Sequence, residues 1–288
     1  MIVKRALKRY SAPYLALWVM RLGFHRLTRS LRTLPDFLII GAQRSGTTSL
    51  YNYLCEHPAI APALRKEIHF FDNNFKKGLP WYRSYFPLNL EKRRALQDRG
   101  QGLLSGESTP YYLFHPTVPA RVFASLPKVK LIALLRNPID RAYSHYQHEV
   151  NLGVEKAAFE DAIRKEKEAL AGEEQRLGTE EGYQSFAYQN YSYLSRGIYV
   201  DQIKAWRKYF NQESLLILKS EDFYANPRQA MKQVFSFLAL PAREAVTYRR
   251  YNEARYPPMS PDTRRILAHF FEPHNQNLYE YLGINFDW

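Results

Sequence analysis

The chain has 288 residues, of which 45% are hydrophobic and 24% charged. This composition supports a buried core and excludes a collagen-like, coiled-coil or disordered main architecture. The single cysteine, Cys55, excludes an intrachain disulfide and a cysteine-rich zinc module, and it fits a reducing compartment. The 41 Lys and Arg residues against 28 Asp and Glu residues give a formal net charge of +13. Such a charge indicates an anionic partner: a nucleic acid, a membrane surface or a phosphorylated small molecule.

The excess positive charge is concentrated at the N-terminus. Residues 1–35 contain eight basic and no acidic residues, so this segment carries +8 and the other 253 residues carry only +5. The apolar stretch Ala12–Met20 has nine residues, whereas a membrane-spanning helix needs about 20, and no signal-peptide cleavage site follows it. We therefore predict a basic helical leader over residues 1–34, and one interpretation is that it rests on a membrane surface. Alternatively, the leader packs on the domain through Leu15, Trp18 and Leu22.

The remaining sequence, residues 35–288, alternates apolar runs with helical patterns. Three short apolar runs predict buried strands of a parallel sheet: Asp36–Ile40, Val129–Leu135 and Ser214–Ser220. A helix that ends before Pro58 follows the first run, and a helix over Ile139–Val150 follows the second. We expect a charged helix over Phe159–Leu170 and then a polar surface loop over residues 171–182. The alternation predicts one α/β domain whose mostly parallel central sheet has helices on both faces.

A glycine-containing loop, G-A-Q-R-S-G-T-T-S over Gly41–Ser49, follows the first predicted strand and opens the first helix. In this context backbone N–H groups and the helix dipole can hold a phosphate, although a loop of this kind can also be only a tight turn. Thr47 stands where the common nucleotide-binding pattern has its lysine, and Arg44 supplies a cation earlier in the loop. The loop is therefore unlike that of an ordinary ATP-hydrolysing enzyme but suited to a nucleotide phosphate.

Two further segments carry candidate chemistry. In KEIHFFD, three titratable residues, Glu67, His69 and Asp72, lie within six positions, so a carboxylate there could act as a general base or the group could be a solvated charge cluster. In LLRNPIDRAYSHY, Arg136 closes a strand and Ser144 lies two helical turns later. This pair could clamp a second phosphate. Arg136 could instead cap the helix or pair with the following acid, and the local sequence does not decide.

Six segments in this order carry a resemblance to a known family: PDFLIIGAQRSGTTSLYNYL, KEIHFFD, GESTPYY, LLRNPIDRAYSHY, GIYVDQIKAW with LLILKSEDF, and YPPMSPDTRRIL. From about Pro35 to Leu282 the chain resembles the sulfotransferases that use 3′-phosphoadenosine-5′-phosphosulfate (PAPS), in the branch similar to heparan sulfate sulfotransferases and their bacterial relatives. The resemblance implies a P-loop NTPase-like three-layer α/β fold. It also implies sulfuryl transfer from PAPS, without a metal, to a hydroxyl or amine of a carbohydrate or other small metabolite.

The resemblance also implies roles for individual residues. The loop side chains would hold the 5′-phosphate and the sulfate: Arg44, Ser45, Gly46, Thr47, Thr48 and Ser49. Arg136 and Ser144 would hold the 3′-phosphate, and Glu67 would be the catalytic base. His69 and Asp72 would support that base or touch the acceptor.

The chain departs from its relatives at several of these positions. Relatives usually carry lysine where this chain has Arg44, whose pKa above ~12 suits electrostatic stabilisation rather than proton donation. Ser108 stands where several relatives have a lysine. Among the basic residues near YNEARYPP, Arg255 is the expected cofactor contact, with Arg249 and Arg250 as alternatives. Among the tyrosines, Tyr193 is the one expected at the cofactor.

Two other functions are weighed against sulfuryl transfer. A P-loop kinase would turn over ATP with Mg²⁺, which the missing loop lysine disfavours. A basic nucleic-acid-binding protein would spread its charge over one face of the body, whereas the excess here lies in the leader. We therefore expect no nucleic-acid partner. We expect a cytoplasmic enzyme that is peripheral to a membrane if the leader binds one.

Overall fold

A computed structural model describes residues 12–100, 102–243, 248–251 and 256–288, with side chains from residue 20 onward except residue 99. Five parallel strands form one sheet in the order β2-β3-β1-β4-β5. The strands are β1 (Phe37–Gly41), β2 (Ile60–Pro62), β3 (Leu104–Ser108), β4 (Lys130–Leu135) and β5 (Leu215–Lys219). β1 is central, so the loop that follows it lies between the ends of its neighbours β3 and β4.

Helices connect the strands and cover the sheet. In the part of the chain that the structure describes they are α1 (Ala12–Leu27), α2 (Thr47–Cys55), α3 (Gly78–Arg83), α4 (Asn89–Arg99), α5 (Val118–Ser125), α6 (Pro138–Asn151), α7 (Phe159–Ala169), α8 (Glu173–Thr179), α9 (Phe186–Asn190), α10 (Tyr199–Arg207), α11 (Ser220–Ala225), α12 (Pro227–Phe237) and α13 (Pro261–Leu282).

The apolar side chains of the strands alternate between two hydrophobic clusters. Leu38 and Ile40 of β1 point into a cluster with Trp206 of α10, while Phe37 and Ile39 point into a cluster with Leu50 of α2. All six side chains are fully buried. A strand that is buried on both faces has a continuous apolar sequence, and for this reason β1 could be predicted from the sequence. The predicted α/β fold with a parallel sheet is confirmed.

Three of the five strands and most of the helices agree with the sequence-based expectations, and the differences have local causes. β1, β4 and β5 are the three predicted strands. β2 was not predicted because it has three residues, and β3 because LSGES contains one large apolar residue. The expected surface loop 171–182 is wrong in part, since it contains the short helix α8. That helix buries Leu177 within an otherwise polar segment.

The leader is a helix at its C-terminal end. Both α1 and the segment after it contact residues 84–88: His25 Nδ1 of α1 bonds the Ser84 carbonyl at 2.8 Å, and the guanidinium of Arg32, after the helix, donates to the Phe86 carbonyl at 2.6 Å. Leu22 is half-buried, whereas the side chains of Leu15 and Trp18 lie outside the described part. No helix among the described residues combines the length and apolar character needed to span a bilayer.

Candidate active site

The carboxyl ends of β1, β3 and β4 meet at a cleft of about 840 Å³. This edge is where parallel α/β sheets place ligands, because strand-to-helix loops and helix N-termini converge there. Most of the predicted site residues line the cleft: Arg44, Gly46, Thr47, Thr48, Glu67, His69, Arg136 and Ser144. The structure therefore brings together three segments that are far apart in the sequence.

The loop after β1 has a conformation that its glycine makes possible. Gly46 has φ of 99°, in the left-handed region that favours glycine. A Cβ atom at this position would lie 2.7 Å from the hydroxyl of Tyr224. Gly46 also immediately precedes α2, so its conformation turns the chain into the helix whose N-terminus faces the cleft. Any side chain here would displace Tyr224 and strain the loop.

Arg44, Arg136 and Ser144 form one hydrogen-bonded group at one side of the cleft. The Nε of Arg44 donates to Ser144 Oγ at 3.2 Å, and Arg136 donates to the backbone carbonyl of Arg44 at 3.1 Å. Burial lowers the pKa of Arg44, but a guanidinium remains charged at neutral pH. Two cations and a hydroxyl donor in one group form a binding site for an anion such as a phosphate.

The contacts of Asn137 and Asp140 exclude two alternative roles of Arg136, which are capping of α6 and pairing with Asp140. Asn137 caps α6, since its side chain accepts hydrogen bonds from the backbone of Ile139 at 3.0 Å and of Asp140 at 3.4 Å. The Asp140 carboxylate pairs with Arg264 of α13. Arg136 thus neither caps the helix nor pairs with this acid.

A line of charges runs from Lys66 to Asp72, and its members Glu67 and His69 line the cleft. Lys66 Nζ lies 2.9 Å from Glu67 Oε1, and His69 Nε2 lies 3.8 Å from Glu67 Oε2. His69 Nδ1 lies 2.6 Å from Asp72 Oδ2, whose carboxylate is fully buried. The imidazole therefore stands between two carboxylates.

This arrangement fixes the protonation states. Burial opposes ionisation of Glu67, but the neighbouring His69 imidazolium and the charge of Lys66 outweigh it and lower the pKa of Glu67 to about 2. Burial likewise opposes a charged His69, but Asp72 and Glu67 outweigh it and raise the pKa of His69 to about 10. At neutral pH, Glu67 is a carboxylate that faces the cleft, and His69 is an imidazolium.

Glu107, at the end of β3, holds this segment in place. Its carboxylate accepts from the Ile68 N–H at 3.1 Å, from the Tyr82 hydroxyl at 2.7 Å and from the Tyr112 hydroxyl at 3.0 Å. The Thr109 hydroxyl donates a fourth bond at 2.6 Å. The residue is fully buried, so it positions Glu67 and His69 without facing the cleft. Sequence reasoning missed this role, although an acid that ends a buried strand in GESTPYY was the available signal.

Several predicted residues lie elsewhere. Ser45 and Ser49 are fully buried beneath the loop, and Ser49 Oγ accepts from the Tyr251 N–H at 3.1 Å. Tyr193, expected at the cofactor, is also fully buried and does not line the cleft, because its hydroxyl donates to Glu155 at 3.0 Å. Arg255 falls within residues 252–255, outside the described part.

The cleft also contains Arg250, which the sequence offered only as an alternative, and two residues that the sequence did not single out, Arg196 and Glu149. Arg250, an alternative to Arg255, lines the cleft with its guanidinium over the ring of Tyr224, 4.8 Å from the centroid. Arg196 and Glu149 also line the cleft. Burial raises the pKa of Glu149 to about 7. These residues come from segments distant along the chain, and their local sequences give no sign that they meet.

The arrangement as a whole suits the transfer of an anionic group. One side has the helix N-terminus and several arginines, which can hold a doubly charged ligand and stabilise a leaving oxygen. The other side has an ionised carboxylate that can accept a proton from an acceptor.

Comparisons with known proteins agree with this chemistry. A family model for the sulfotransferase domain matches residues 34–277. The chain is 26% identical to the membrane-associated sulfotransferase kil1 of Dictyostelium discoideum, over 90% of this chain and 67% of that protein. It is 25% identical to heparan sulfate glucosamine 3-O-sulfotransferase 3A1 of Mus musculus, over 91% of this chain and 66% of that protein. The chain thus spans about two thirds of the length of these curated relatives.

A solved structure extends the similarity to the fold. The crystal structure of a sulfotransferase from Alicyclobacillus acidocaldarius superimposes with a TM-score of 0.63 at 30% sequence identity. The match covers 87% of this chain and 96% of that chain. The P-loop NTPase-like architecture expected from the resemblance is confirmed.

Proposed function

Because this chain belongs to the sulfotransferase family, we propose that its cleft binds PAPS and that Glu67 assists transfer of the sulfuryl group to an acceptor hydroxyl or amine. One observation carries the proposal: the glycine loop and the Arg136–Ser144 pair face the same cleft, and Arg44 joins them. Two anion sites in one cleft suit a nucleotide with phosphates at both its 3′ and 5′ positions.

The loop fits the 5′ end of such a ligand. The cradle is shaped by Gly46, where a side chain would collide with Tyr224. Thr47 and Thr48 of α2 line the cleft, where their hydroxyls can donate to anionic oxygens. Ser45 Oγ is buried and, among the described residues, has no hydrogen-bond partner, as expected of a loop that completes its bonds on a ligand. We assign Arg44, Gly46, Thr47 and Thr48 to the phosphosulfate, with Ser45 beside them in the loop, whereas Ser49 lies beneath the loop with its Oγ bound to the Tyr251 N–H.

The other end of the cleft fits the second phosphate. Arg136 and Ser144 would donate to a 3′-phosphate, and Arg44, which bonds both residues, would lie between the two anions. Arg250 lines the cleft as a further cation near the ligand. This placement differs from the sequence-based one, in which Arg44 served only the phosphosulfate.

The chemistry needs little beyond position and charge. PAPS supplies an activated sulfuryl group, and negative charge grows on its 5′-phosphate oxygen as the bond to sulfur breaks. The loop N–H groups and the N-terminus of α2 are placed to stabilise that charge. Glu67 accepts the acceptor proton as the new oxygen–sulfur or nitrogen–sulfur bond forms. His69 and Asp72 keep the Glu67 carboxylate oriented and ionised.

A carbohydrate is the acceptor class that we propose. The relative from Mus musculus is a sulfotransferase of heparan sulfate glucosamine. The same cleft here is lined by Tyr111, Gln189 and Asn190. An aromatic face with neighbouring amides suits a sugar, which presents C–H groups on one face and hydroxyls at its edge.

Calorimetric titration tests the nucleotide assignment. We expect adenosine 3′,5′-bisphosphate to bind more tightly than adenosine 5′-monophosphate by roughly 10- to 100-fold, since charge-assisted hydrogen bonds contribute about 1.5–3 kcal/mol. Arg136→Ala should remove most of this preference. Arg164→Ala, which changes an exposed arginine of α7, is the control and should keep it. Equal weakening of both nucleotides by Arg136→Ala, in a variant with an unchanged circular dichroism spectrum, would reject the 3′-phosphate site.

We further propose that α1 and α4 rest on an anionic membrane surface. Met20, Phe24 and Leu27 lie on one face of α1, and Leu27 is 86% exposed. Leu31, which is 61% exposed, and Leu90 of α4, which is 53% exposed, extend this apolar surface across the junction with α4. We call these five residues the N-terminal apolar surface. Isolated exposed apolar residues are ordinary, whereas several exposed apolar side chains on connected elements are typical of a contact site.

The positive charges around this surface indicate that its partner is anionic. The exposed basic residues beside it are Arg21, Arg26, Arg29, Arg93 and Arg94. Apolar side chains surrounded by arginines are typical of helices that lie in the interface of an anionic bilayer. Lys92 of α4 binds Asp36, immediately before β1, whereas the cleft lies beyond the other end of that strand. Docking through this surface would therefore leave the cleft open to its substrates.

A further inference from the structure

Lys66 occupies a position between the two halves of the proposed chemistry. Its Nζ donates to Thr48 Oγ1 on the glycine-loop side at 2.6 Å and lies 2.9 Å from Glu67 Oε1 on the acceptor side. One ammonium group therefore joins the predicted phosphosulfate site to the predicted base. The side chain is 25% exposed, so solvent screens it only in part.

The Arg44 side chain is directed at Ser144, whereas Lys66 is a cation that contacts Thr48. The Arg44 guanidinium reaches Ser144, in the region assigned to the 3′-phosphate, and Arg136 bonds the Arg44 carbonyl. The Thr48 hydroxyl instead accepts a hydrogen bond from the Lys66 ammonium group.

The backbone holds Lys66 at this place. Its carbonyl accepts from the Ser108 N–H at 3.1 Å, at the end of β3. Two residues later, the Ile68 N–H is bound by the buried carboxylate of Glu107. Lys66 is thus anchored to the central sheet on one side and reaches the N-terminal turn of α2 on the other. A long side chain with a fixed backbone loses less entropy when its ammonium group binds a ligand.

We propose that Lys66 is the catalytic cation that contacts the sulfuryl group during transfer, an assignment that rests on the proposed function. A sulfuryl oxygen bound beside Thr48 lies within reach of the same ammonium group that now bonds the Thr48 hydroxyl. The acceptor oxygen bonds to sulfur, the bond from sulfur to the 5′-phosphate oxygen breaks with its electron pair on that oxygen, and the proton goes to Glu67. Lys66 donates hydrogen bonds throughout and transfers no proton.

Lys66 has a second effect in this arrangement. Its charge helps to keep Glu67 ionised. When the ammonium group turns toward a sulfuryl oxygen, Glu67 loses part of this stabilisation and becomes a stronger base at the moment when it must take a proton. The two functions are coupled because one side chain serves both neighbours.

Steady-state kinetics of Lys66→Met and Lys66→Arg with labelled PAPS and a sulfatable oligosaccharide test the assignment. Removal of one preorganised donor to a developing charge costs roughly 10²–10³-fold in kcat. We therefore expect Lys66→Met to lower kcat by about that factor, with the KM for PAPS changed less than tenfold. We expect Lys66→Arg to recover part of kcat. The acid limb of the pH profile should move to higher pH in Lys66→Met, because Glu67 loses a neighbouring positive charge.

Lys92→Met is the matched control. Lys92 is 20% exposed and pairs with Asp36 at 2.5 Å, so its loss removes a similar ion pair outside the cleft. It should leave kcat and the pH profile unchanged. Lys66→Gln, which keeps a hydrogen-bond donor but not the charge, decides the question in the same way if Lys66→Met does not fold.

The outcomes separate this assignment from the function on which it rests. Transfer by the unaltered chain, with kcat and pH profile unchanged in the folded Lys66 variant, would overturn the role of Lys66 alone. Binding of adenosine 3′,5′-bisphosphate no tighter than the monophosphate, together with no transfer by the unaltered chain, would overturn the proposed function and this assignment with it.

Discussion

At the scale of single residues, the notable feature is a row of alternating charges at the cleft. Lys66, Glu67, His69 and Asp72 alternate in sign, and each contacts the next within 4 Å. A carboxylate with a pKa of about 2 is a weak base in isolation. It can still accept a proton late in the reaction, once the bond to sulfur has made the acceptor proton acidic. The neighbouring charges thus keep Glu67 fully ionised but make it an intrinsically weaker base.

The charge on His69 leads to a stability prediction. Its pKa is about 10 in the folded chain against an ordinary 6.5, so the folded state binds more protons between these values. Stabilisation by His69 is complete below pH 6.5 and is lost as the pH rises through 10. The loss of free energy of unfolding caused by His69→Gln should therefore be larger at pH 6 than at pH 10.

Urea unfolding of both proteins across this pH range measures the difference. His269→Gln, which changes a histidine that is 92% exposed, is the control and should show little dependence on pH. A penalty for His69→Gln that is the same at pH 6 and pH 10 would mean that His69 is not held in its charged form.

At the scale of elements, the sequence identified the parts that are buried on both sides or that carry a local signal. β1, β4 and β5 are apolar runs, and α2 and α6 have recognisable boundaries. β3 was not predicted because its sequence is not a continuous apolar run. Its Gly106 lies so close to Phe37 that a Cβ atom would be 2.5 Å from the Phe37 carbonyl oxygen. Glu107 of the same strand binds the segment that carries Glu67.

The same distinction applies to the site. The glycine loop, the Glu67 segment and the Arg136–Ser144 pair were identified because each carries its chemistry in a short stretch of sequence. The direction of the Arg44 side chain could not be predicted, since it depends on Ser144, 100 positions away. The Tyr193 hydroxyl donates to Glu155, and the Arg141 guanidinium donates to the Tyr193 carbonyl. The local sequence around Tyr193 does not reveal these contacts. Long-range packing decides such details.

At the scale of the whole molecule, the net charge of +13 divides into parts with different roles. Eight positive charges belong to residues 1–35, and the arginines of the body include those that line the cleft. Charge near an apolar helix face adds membrane affinity, whereas charge at the end of a sheet binds a small anion. The total charge alone could not separate these two uses.

Vesicle flotation tests the membrane proposal. The chain should float with vesicles that contain phosphatidylserine, bind much less to phosphatidylcholine alone, and dissociate as salt is raised. The double variant Leu27→Ser, Leu31→Ser should lose most of this binding, because it removes apolar side chains that would enter the bilayer. Ile266→Ser, which changes an apolar residue of α13 that is 67% exposed, is the control. Equal flotation of the double variant and the unaltered chain would exclude this surface as the contact.

The central claim is that this cleft transfers a sulfuryl group with Glu67 as the base. The most direct measurement incubates the chain with ³⁵S-labelled PAPS and a panel of oligosaccharides, identifies the labelled product, and repeats the assay with Glu67→Gln. We predict a sulfated oligosaccharide from the unaltered chain and a loss of at least about 10²-fold in turnover with Glu67→Gln, with binding of adenosine 3′,5′-bisphosphate retained. Normal turnover in Glu67→Gln, or no labelled product from the unaltered chain across the panel, would contradict the account.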